Sequence, residues 1–361
     1  MKPIACLLMA AMALSAPICR AEDPENIPDE SNVPETVSTP LHSENLVKVS
    51  SDVRIDYQHE WTDGRTVDAN SGFEGKYFML KVEGTITDGL TYVWRQRLNK
   101  YSKDAAFFDA TDWLCLDYAY RRFNFNAGKS AVAIGGWEYD RYPVDVYAAS
   151  LFWQSVSCFQ LGASVGYNIT PSQRLTLQVG QSMFHTSENR NLYSYNLLWT
   201  GTMGCLSTIS SVNMTEYAPN HYINYIALGQ RLTLGRFTVE ADLMNRAARH
   251  QPFLLRDVTV IVEVAYQPNE RWRIHGKYTY DANRSGTDAD MLVLNGTELS
   301  MAGGGVEFFP LVKKRTSLRV HACCYHSWGR NANTADVMQN GSTMMSVGVK
   351  WHMDIFSVKR N

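Results

Sequence analysis

Two runs of alternating basic residues stand out along the 361-residue chain: Arg95-Gln96-Arg97, and Arg271-Trp272-Arg273-Ile274-His275-Gly276-Lys277. Side chains two apart share one face of a β-strand and repeat about every 6.6 Å, from a rise of roughly 3.3 Å per residue. Such a row could pass an anion from one site to the next, because each cation replaces part of the hydration shell the anion gives up. The same residues could instead pair with Glu240, Asp242 or Glu263 on neighbouring strands. Bond-making chemistry has no comparable signal. His321 and His352 fall beside cations, where a hydrolase would need a Ser or Asp nucleophile next to its His. Beyond the first 21 residues the cysteines are Cys115, Cys158, Cys205, Cys323 and Cys324, with no regular spacing. Neither a zinc motif nor a disulfide framework is expected from them, and no cofactor. As neighbours on a strand, Cys323 and Cys324 should face opposite ways.

The elements that carry these residues read as β-strands throughout. From Val53 onward, apolar and polar residues alternate with period two. Val53, Ile55, Tyr57 and Trp61 oppose Arg54, Asp56, Gln58 and Glu60. Leu90, Tyr92 and Trp94 oppose Arg95 and Arg97, and Leu114, Leu116, Tyr118 and Tyr120 oppose Asp117 and Arg121. Later strands repeat this, down to Met345, Val347, Val349, Trp351 and Met353 against Lys350 and His352. The connections alternate in length. Short ones lie at 87–89, 168–172, 234–236, 267–270 and 310–315, and longer ones at 62–72, 99–112, 135–158, 184–191, 246–256, 281–297 and 328–341. Short periplasmic turns alternating with long external loops are the plan of an outer-membrane barrel, with an even strand number, here about sixteen. A soluble β-sandwich would also alternate, but its turns need not. Aromatics at strand ends, among them Trp61, Trp94, Trp113, Tyr120, Trp199 and Trp272, fit the girdles that sit at lipid headgroup level. The expected fold is all-β, a transmembrane antiparallel β-barrel over residues 47–361.

Bulk properties agree. A net charge of −2 offers nothing to nucleic acid. No apolar run of about 18 residues follows the N-terminal stretch, so a helical membrane bundle is excluded. Lys2, the apolar run Ile4 to Leu14 and the small-x-small site Cys19-Arg20-Ala21 read as a secretory signal peptide, residues 1–21. Residues 22–46, acidic and rich in Pro and Ser, read as a disordered periplasmic arm. The expected location is the cell outer membrane.

With apolar faces turned to lipid, the opposite faces line a lumen. Arg54, Lys81, Arg95, Arg97, Arg121, Arg174, Arg246, Arg271, Arg273, Lys277, Arg319 and Lys350 fall there and outnumber the acids on the same faces. That favours small hydrophilic solutes, with a lean towards anions; a fully charge-paired lumen is the alternative. The connection 135–158 is the longest. Folded inward, it would narrow the pore and bring Glu138, Asp140, Arg141 and Asp145 into it, while Tyr142 and Tyr147 could stack on a ring-shaped solute.

Several stretches resemble the phosphate-selective porin O/P family. Ala127-Gly128-Lys129 through Ile134-Gly135-Gly136-Trp137-Glu138-Tyr139-Asp140 is similar to its third-loop region. Leu228-Gly229-Gln230-Arg231-Leu232, Asp242-Leu243-Met244-Asn245-Arg246 and Gly305-Val306-Glu307-Phe308-Phe309-Pro310 fit as well. The resemblance spans most of residues 50–356 in short motifs. It implies a sixteen-stranded barrel with an inward-folding third loop, usually a homotrimer in outer-membrane lipid, passing phosphate or other anions. It adds Lys129 to the pore-lining candidates. A barrel enzyme and a non-conducting structural barrel are the competing readings; a lumen plugged by its own loop would mark the latter.

Overall fold

The computed structural model describes residues 45–100, 107–333 and 340–359. The expected signal peptide and the arm up to residue 44 lie outside the described residues. The strands are β1 (Asn45–Thr62), β2 (Arg65–Thr66), β3 (Gly72–Thr87), β4 (Leu90–Arg97), β5 (Thr111–Tyr120), β6 (Phe123–Ala131), β7 (Phe159–Thr170), β8 (Gln173–Gln181) and β9 (Tyr193–Met203). They continue with β10 (Leu206–Ala218), β11 (His221–Leu234), β12 (Phe237–Ala248), β13 (Asp257–Asn269), β14 (Trp272–Asn283), β15 (Glu298–Phe308), β16 (Leu318–Arg330) and β17 (Ser342–Lys359). Two-residue β2 is a flap on the end of β1; the other strands form one antiparallel meander. β1 pairs with β3 on one side and β17 on the other, with Val53 opposite both Phe78 and Trp351, and this closes the sheet as a sixteen-stranded barrel. Closure is what lipid demands, because an open edge would leave unpaired N–H and C=O groups where no water can reach them.

The two faces follow from the alternation. On β8, β9 and β10 the apolar residues Leu177, Leu197 and Val212 are 52%, 41% and 54% exposed, while Gln178, Asn196 and Asn213 between them are at most 7% exposed. The outward set is the lipid-facing belt. Cys323 is buried and Cys324 exposed, as neighbours on one strand must be. Trp113 departs from the expected girdle: it is 8% exposed, and the Arg95 guanidinium lies 5.8 Å from its ring.

Six of the seven connections at one end are two-residue turns, at 88–89, 121–122, 171–172, 204–205, 235–236 and 270–271; the seventh spans 309–317. The turn after β5 has neither Gly nor Pro. Arg121 itself takes a left-handed φ of 56°, which corrects its expected place on the lumen wall: the strand has already ended at Tyr120. Arg271 lies in the turn before β14 and is likewise exposed there. At the opposite end the connections are longer, apart from the two-residue link at 219–220. The third of them in chain order, 132–158, starts earlier than expected, because β6 ends at Ala131 and Val132, Ala133 and Ile134 turn into the barrel and are buried.

Candidate channel constriction

The loop 132–158 leaves the wall on a ladder of amides. Gln178, Asn196 and Asn213 stand in register on β8, β9 and β10. Gln178 accepts from Ala133 N–H at 2.7 Å and donates to Ala131 C=O at 2.9 Å, and Asn213 donates to Ala133 C=O at 2.8 Å. Backbone groups entering the lumen are thus satisfied before water is left behind. The chain then presses onto β10. Gly136 N–H donates to Ile209 C=O at 3.0 Å, and Gly135 N–H to Ser211 Oγ at 2.8 Å. A side chain at Gly135 would meet Ile209 O at 2.7 Å, and one at Gly229 on β11 would meet the Gly136 Cα at 2.8 Å. Glycine on both sides is what permits this approach.

Two one-turn helices follow, each held by a wall carboxylate. Asp242 on β12 accepts from Trp137 and Glu138 N–H at 2.8 and 2.9 Å, at the start of the helix Trp137–Asp140. Asp281 on β14 accepts from Leu151 and Phe152 N–H at 2.9 and 3.4 Å, at the start of Leu151–Ser155. Helix N-termini carry unpaired N–H groups and partial positive charge, so a carboxylate is the fitting partner. The Glu138 carboxylate accepts from Ser150 N–H at 2.9 Å and from the Ser150 hydroxyl and the Lys277 ammonium, which ties the two limbs of the loop together. Apolar side chains fill the space around this frame: Ile134, Leu151, Phe152 and Val156 pack on Ile223, Tyr225, Met244 and Val293.

The middle of the loop carries charges that answer those of the wall. Glu240 on β12 stands directly opposite Glu263 on β13. Like charges so placed repel. Arg141 bridges them, 2.6 Å from Glu263 and also bonded to Glu240. Arg319 on β16 stands opposite Lys350 on β17, and Asp145 meets both, at 2.5 and 2.8 Å. Burial works to raise the Asp145 carboxyl, but Lys350 and Arg319 outweigh it and hold the group well below the usual carboxylate range. Tyr142 donates to Asp52 at 3.0 Å, Tyr147 to Glu307 at 2.5 Å, and Arg54 to Val144 and Val146 C=O at 3.2 and 2.8 Å.

These contacts link into a belt of alternating sign. It runs Arg231–Glu240–Arg141–Glu263–Arg273–Glu307–Arg319–Asp145–Lys350 across β11 to β17. The cations at its centre stand further into the water than the acids between them: Arg273 and Arg141 side chains are 25% and 17% exposed, Glu263 and Glu307 5% and 1%.

The expected pore-lining residues therefore divide. Arg141, Arg273 and Arg319 belong to the belt. Lys277 and Glu138 pair with each other and anchor the loop. Asp140 is buried within the first one-turn helix, its N–H donating to Gly136 C=O at 3.1 Å. Arg95 and Arg97 converge on Asp112 at 3.4 and 2.8 Å and are both buried, so they form no open anion row. Lys129 stands in register with Leu114 and Leu161, two residues of the lipid-facing belt, and its ammonium donates to Phe108 C=O at 2.7 Å. Arg121 and Arg271 stay outside, in their turns. Asp281 was missed because the strand was read as ending at Tyr280; one more residue of the alternation puts it on the inner face. Asp112 and Ser150 carry no local signal.

Residues 47–205 match the family model described as phosphate-selective porin O and P. In structure the chain is similar to the anion-selective porin from Comamonas acidovorans, at 10% identity and a TM-score of 0.62, covering 85% of this chain and 99% of that one. It is similar to the outer membrane channel DcaP of Acinetobacter baumannii, at 12% identity and a TM-score of 0.62, covering 85% and 97%. OmpT of Vibrio cholerae in its trimer form aligns at 13% identity and a TM-score of 0.58, covering 86% and 100%. At such identities these likenesses speak for the fold. No curated protein sequence matches the chain. The match over residues 47–205 and the closed sixteen-stranded barrel together make the chain similar to outer-membrane porins, over the matched stretch to the phosphate-selective porin O and P family.

Proposed function

We propose that this barrel is a diffusion porin for small hydrophilic solutes with a mild preference for anions, constricted by the docked loop 132–158. The observation that carries the preference is the belt. At its centre Glu263 and Glu307 are sunk behind the Arg141 and Arg273 guanidinium groups, so a solute passing there meets positive charge first although the pairs nearly cancel. A nearly cancelled field gives weak selectivity, and rings of exposed cations would give more. The apolar packing of the loop favours a narrow path, suited to inorganic anions over larger sugars. The family match and the anion-selective relative of like fold support the same reading, and the relative solved as a trimer supports a homotrimer in outer-membrane lipid.

The test is the reversal potential of the purified protein in planar bilayers under a potassium chloride gradient. An anion-leaning porin reverses on the chloride side of zero, and Arg141→Gln with Arg273→Gln moves the value towards potassium. A barrel that carries no current under any gradient would refute conduction and leave the structural reading.

A further inference from the structure

At the end of the barrel that carries the long connections, one of them turns outward. Met244 and Arg246 on β12 face the lumen, the first packed with the seated loop and the second paired with Asp257 and Asp290. Asn245 between them therefore faces the membrane, in register with Ile226 on β11 and Val258 on β13. Lipid offers an amide no partner. The connection 249–256 supplies one: Asn245 Nδ2 donates to Phe253 C=O at 2.5 Å, and its Oδ1 accepts from Leu255 N–H at 2.7 Å. The connection is thus folded back over the outside of the wall. Val258 is accordingly 5% exposed, whereas Val262 and Val264, outward on the same strand, are 36% and 42% exposed.

The clamp leaves two apolar side chains uncovered. Leu254 and Leu255 are 59% and 60% exposed, and of the large apolar side chains among the described residues only Phe73 is more so. Leu255 is held at a left-handed φ of 57°, which a leucine seldom adopts. The level of the clamp follows from the register. Leu243, Val260 and Tyr280 stand one outward position nearer the membrane centre, and Tyr280 continues through Ser300 to Trp328. Aromatic side chains such as Tyr280 and Trp328 mark the headgroup level. Successive outward positions are about 6.6 Å apart, so the clamp lies among the headgroups and its leucines are within reach of the acyl chains. Arg249 and Arg256 end the connection; both are exposed, and neither has a carboxylate partner among the described residues. Their strands pair at Arg246 and Asp257, so the two ends leave the wall on neighbouring strands, about 4.8 Å apart. Arg284 lies alongside, its N–H donating to Arg256 C=O at 2.6 Å, and is bonded to Glu298. In the connections 249–256 and 284–297 the exposed acid is Asp288, against Arg249, Arg256 and His250.

We infer that Arg249, Leu254, Leu255 and Arg256 form a seat for a lipid of the outer leaflet that carries phosphate on its headgroup. The guanidinium forks take phosphate oxygens in pairs, and the leucines enter the acyl boundary beneath. A lipid meets both needs at one place. Free phosphate would leave the leucines in water, and a purely apolar partner would leave the arginines without a counter-charge. Asn245 is the positioning residue: it fixes the connection against the wall, so the seat is formed before the lipid arrives.

Native mass spectrometry of the full chain in an uncharged detergent, titrated with diphosphoryl lipid A, reads the affinity directly. Arg249→Gln/Arg256→Gln should weaken binding about thirtyfold, at about fivefold for each cation at a charged lipid surface. Leu254→Asn/Leu255→Asn should weaken it about tenfold through lost apolar contact; asparagine accepts the left-handed backbone at 255. Arg65→Gln/Arg190→Gln, which changes exposed cations of other connections, should bind like the parent. Each variant is compared as a folded barrel, checked by circular dichroism, and Leu254→Asn alone serves if the paired change does not fold. Parent-like affinity in the arginine variant would overturn the inference. So would displacement of the lipid by excess inorganic phosphate together with parent-like affinity in the leucine variant, which would assign the arginines to free phosphate. A leucine variant that binds lipid like the parent but changes its oligomeric state would overturn it too, by assigning the patch to a second copy of the chain. Conductance plays no part in this measurement, so failure of the porin reading and failure of this inference remain separate outcomes.

Discussion

Replacing Arg141 with Gln would leave Glu240 and Glu263 facing each other without the guanidinium between them. Residues directly opposite across neighbouring strands have Cβ atoms about 5 Å apart. Two unit charges at that distance repel by about 3 kcal/mol at an effective dielectric of about 20. Arg231 still meets Glu240 and Arg273 still meets Glu263, so part of that repulsion is absorbed. A net cost of about 2 kcal/mol, roughly thirtyfold in the balance between docked and undocked loop, is the working figure. Since Asp242, Asp281 and Asp145 continue to hold other points, the loop should loosen around Arg141 without leaving the lumen. Single-channel recordings should show brief excursions to higher conductance, and a protease added on the side of the long loops should cut within 132–158 faster than in the parent chain. Arg141→Gln with Glu240→Gln should restore quiet channels, because the second change removes the repulsion along with its cause. Equal noise in the single and double variants would refute the argument that loop charge is matched to wall charge. Parent-like noise in Arg141→Gln would refute it outright.

Asp242→Ala should orphan two N–H groups at a cost of about 3 kcal/mol, from two bonds to a charged acceptor; channel noise should exceed that of Arg141→Gln, and Asp242→Ala/Asp281→Ala should exceed it again. Gly229→Ala places a methyl 2.8 Å from the Gly136 Cα and should weaken docking by about 1–3 kcal/mol, read as faster cleavage of the loop. For Asp145, the folded carboxyl lies below its unfolded value, so its contribution is complete above roughly pH 4 and falls away only as pH drops through the lowered folded value. Protease resistance at the loop tip should therefore be unchanged between pH 7 and pH 4, and Asp145→Asn should lose it at every pH. Arg121→Gln should leave the reversal potential as it is, because the side chain sits in an exposed turn outside the channel.

The resemblance motifs acquire a physical meaning from this geometry. Gly135-Gly136, Gly229 and Asp242 come from three separate stretches and meet at one point, where the loop presses onto the wall. Arg231 and Glu307, from two of the same motifs, are members of the belt. What these stretches encode is the seating of the loop, and any solute preference follows from which charges that seating leaves in the water.

Period-two alternation, turn lengths and an aromatic girdle were sufficient to read the barrel, its strand number and the lipid-facing belt, because each depends on neighbours one or two residues apart and on a solvent that differs sharply between the faces. Cys323 and Cys324 fell on opposite sides by the same rule. Which inward cations stand in water is a different kind of question. Arg95, Lys129, Arg273 and Lys277 look alike along the chain; one is drawn to Asp112, one is bonded to the Phe108 carbonyl, one joins the belt and one is spent on Glu138. Those partners lie more than 15 residues away for Arg95, Lys129 and Lys277, and on the neighbouring strand or across the lumen in the loop for the belt. Charge pairing over such separations depends on the closed barrel and the seated loop, so only the tertiary structure decides it.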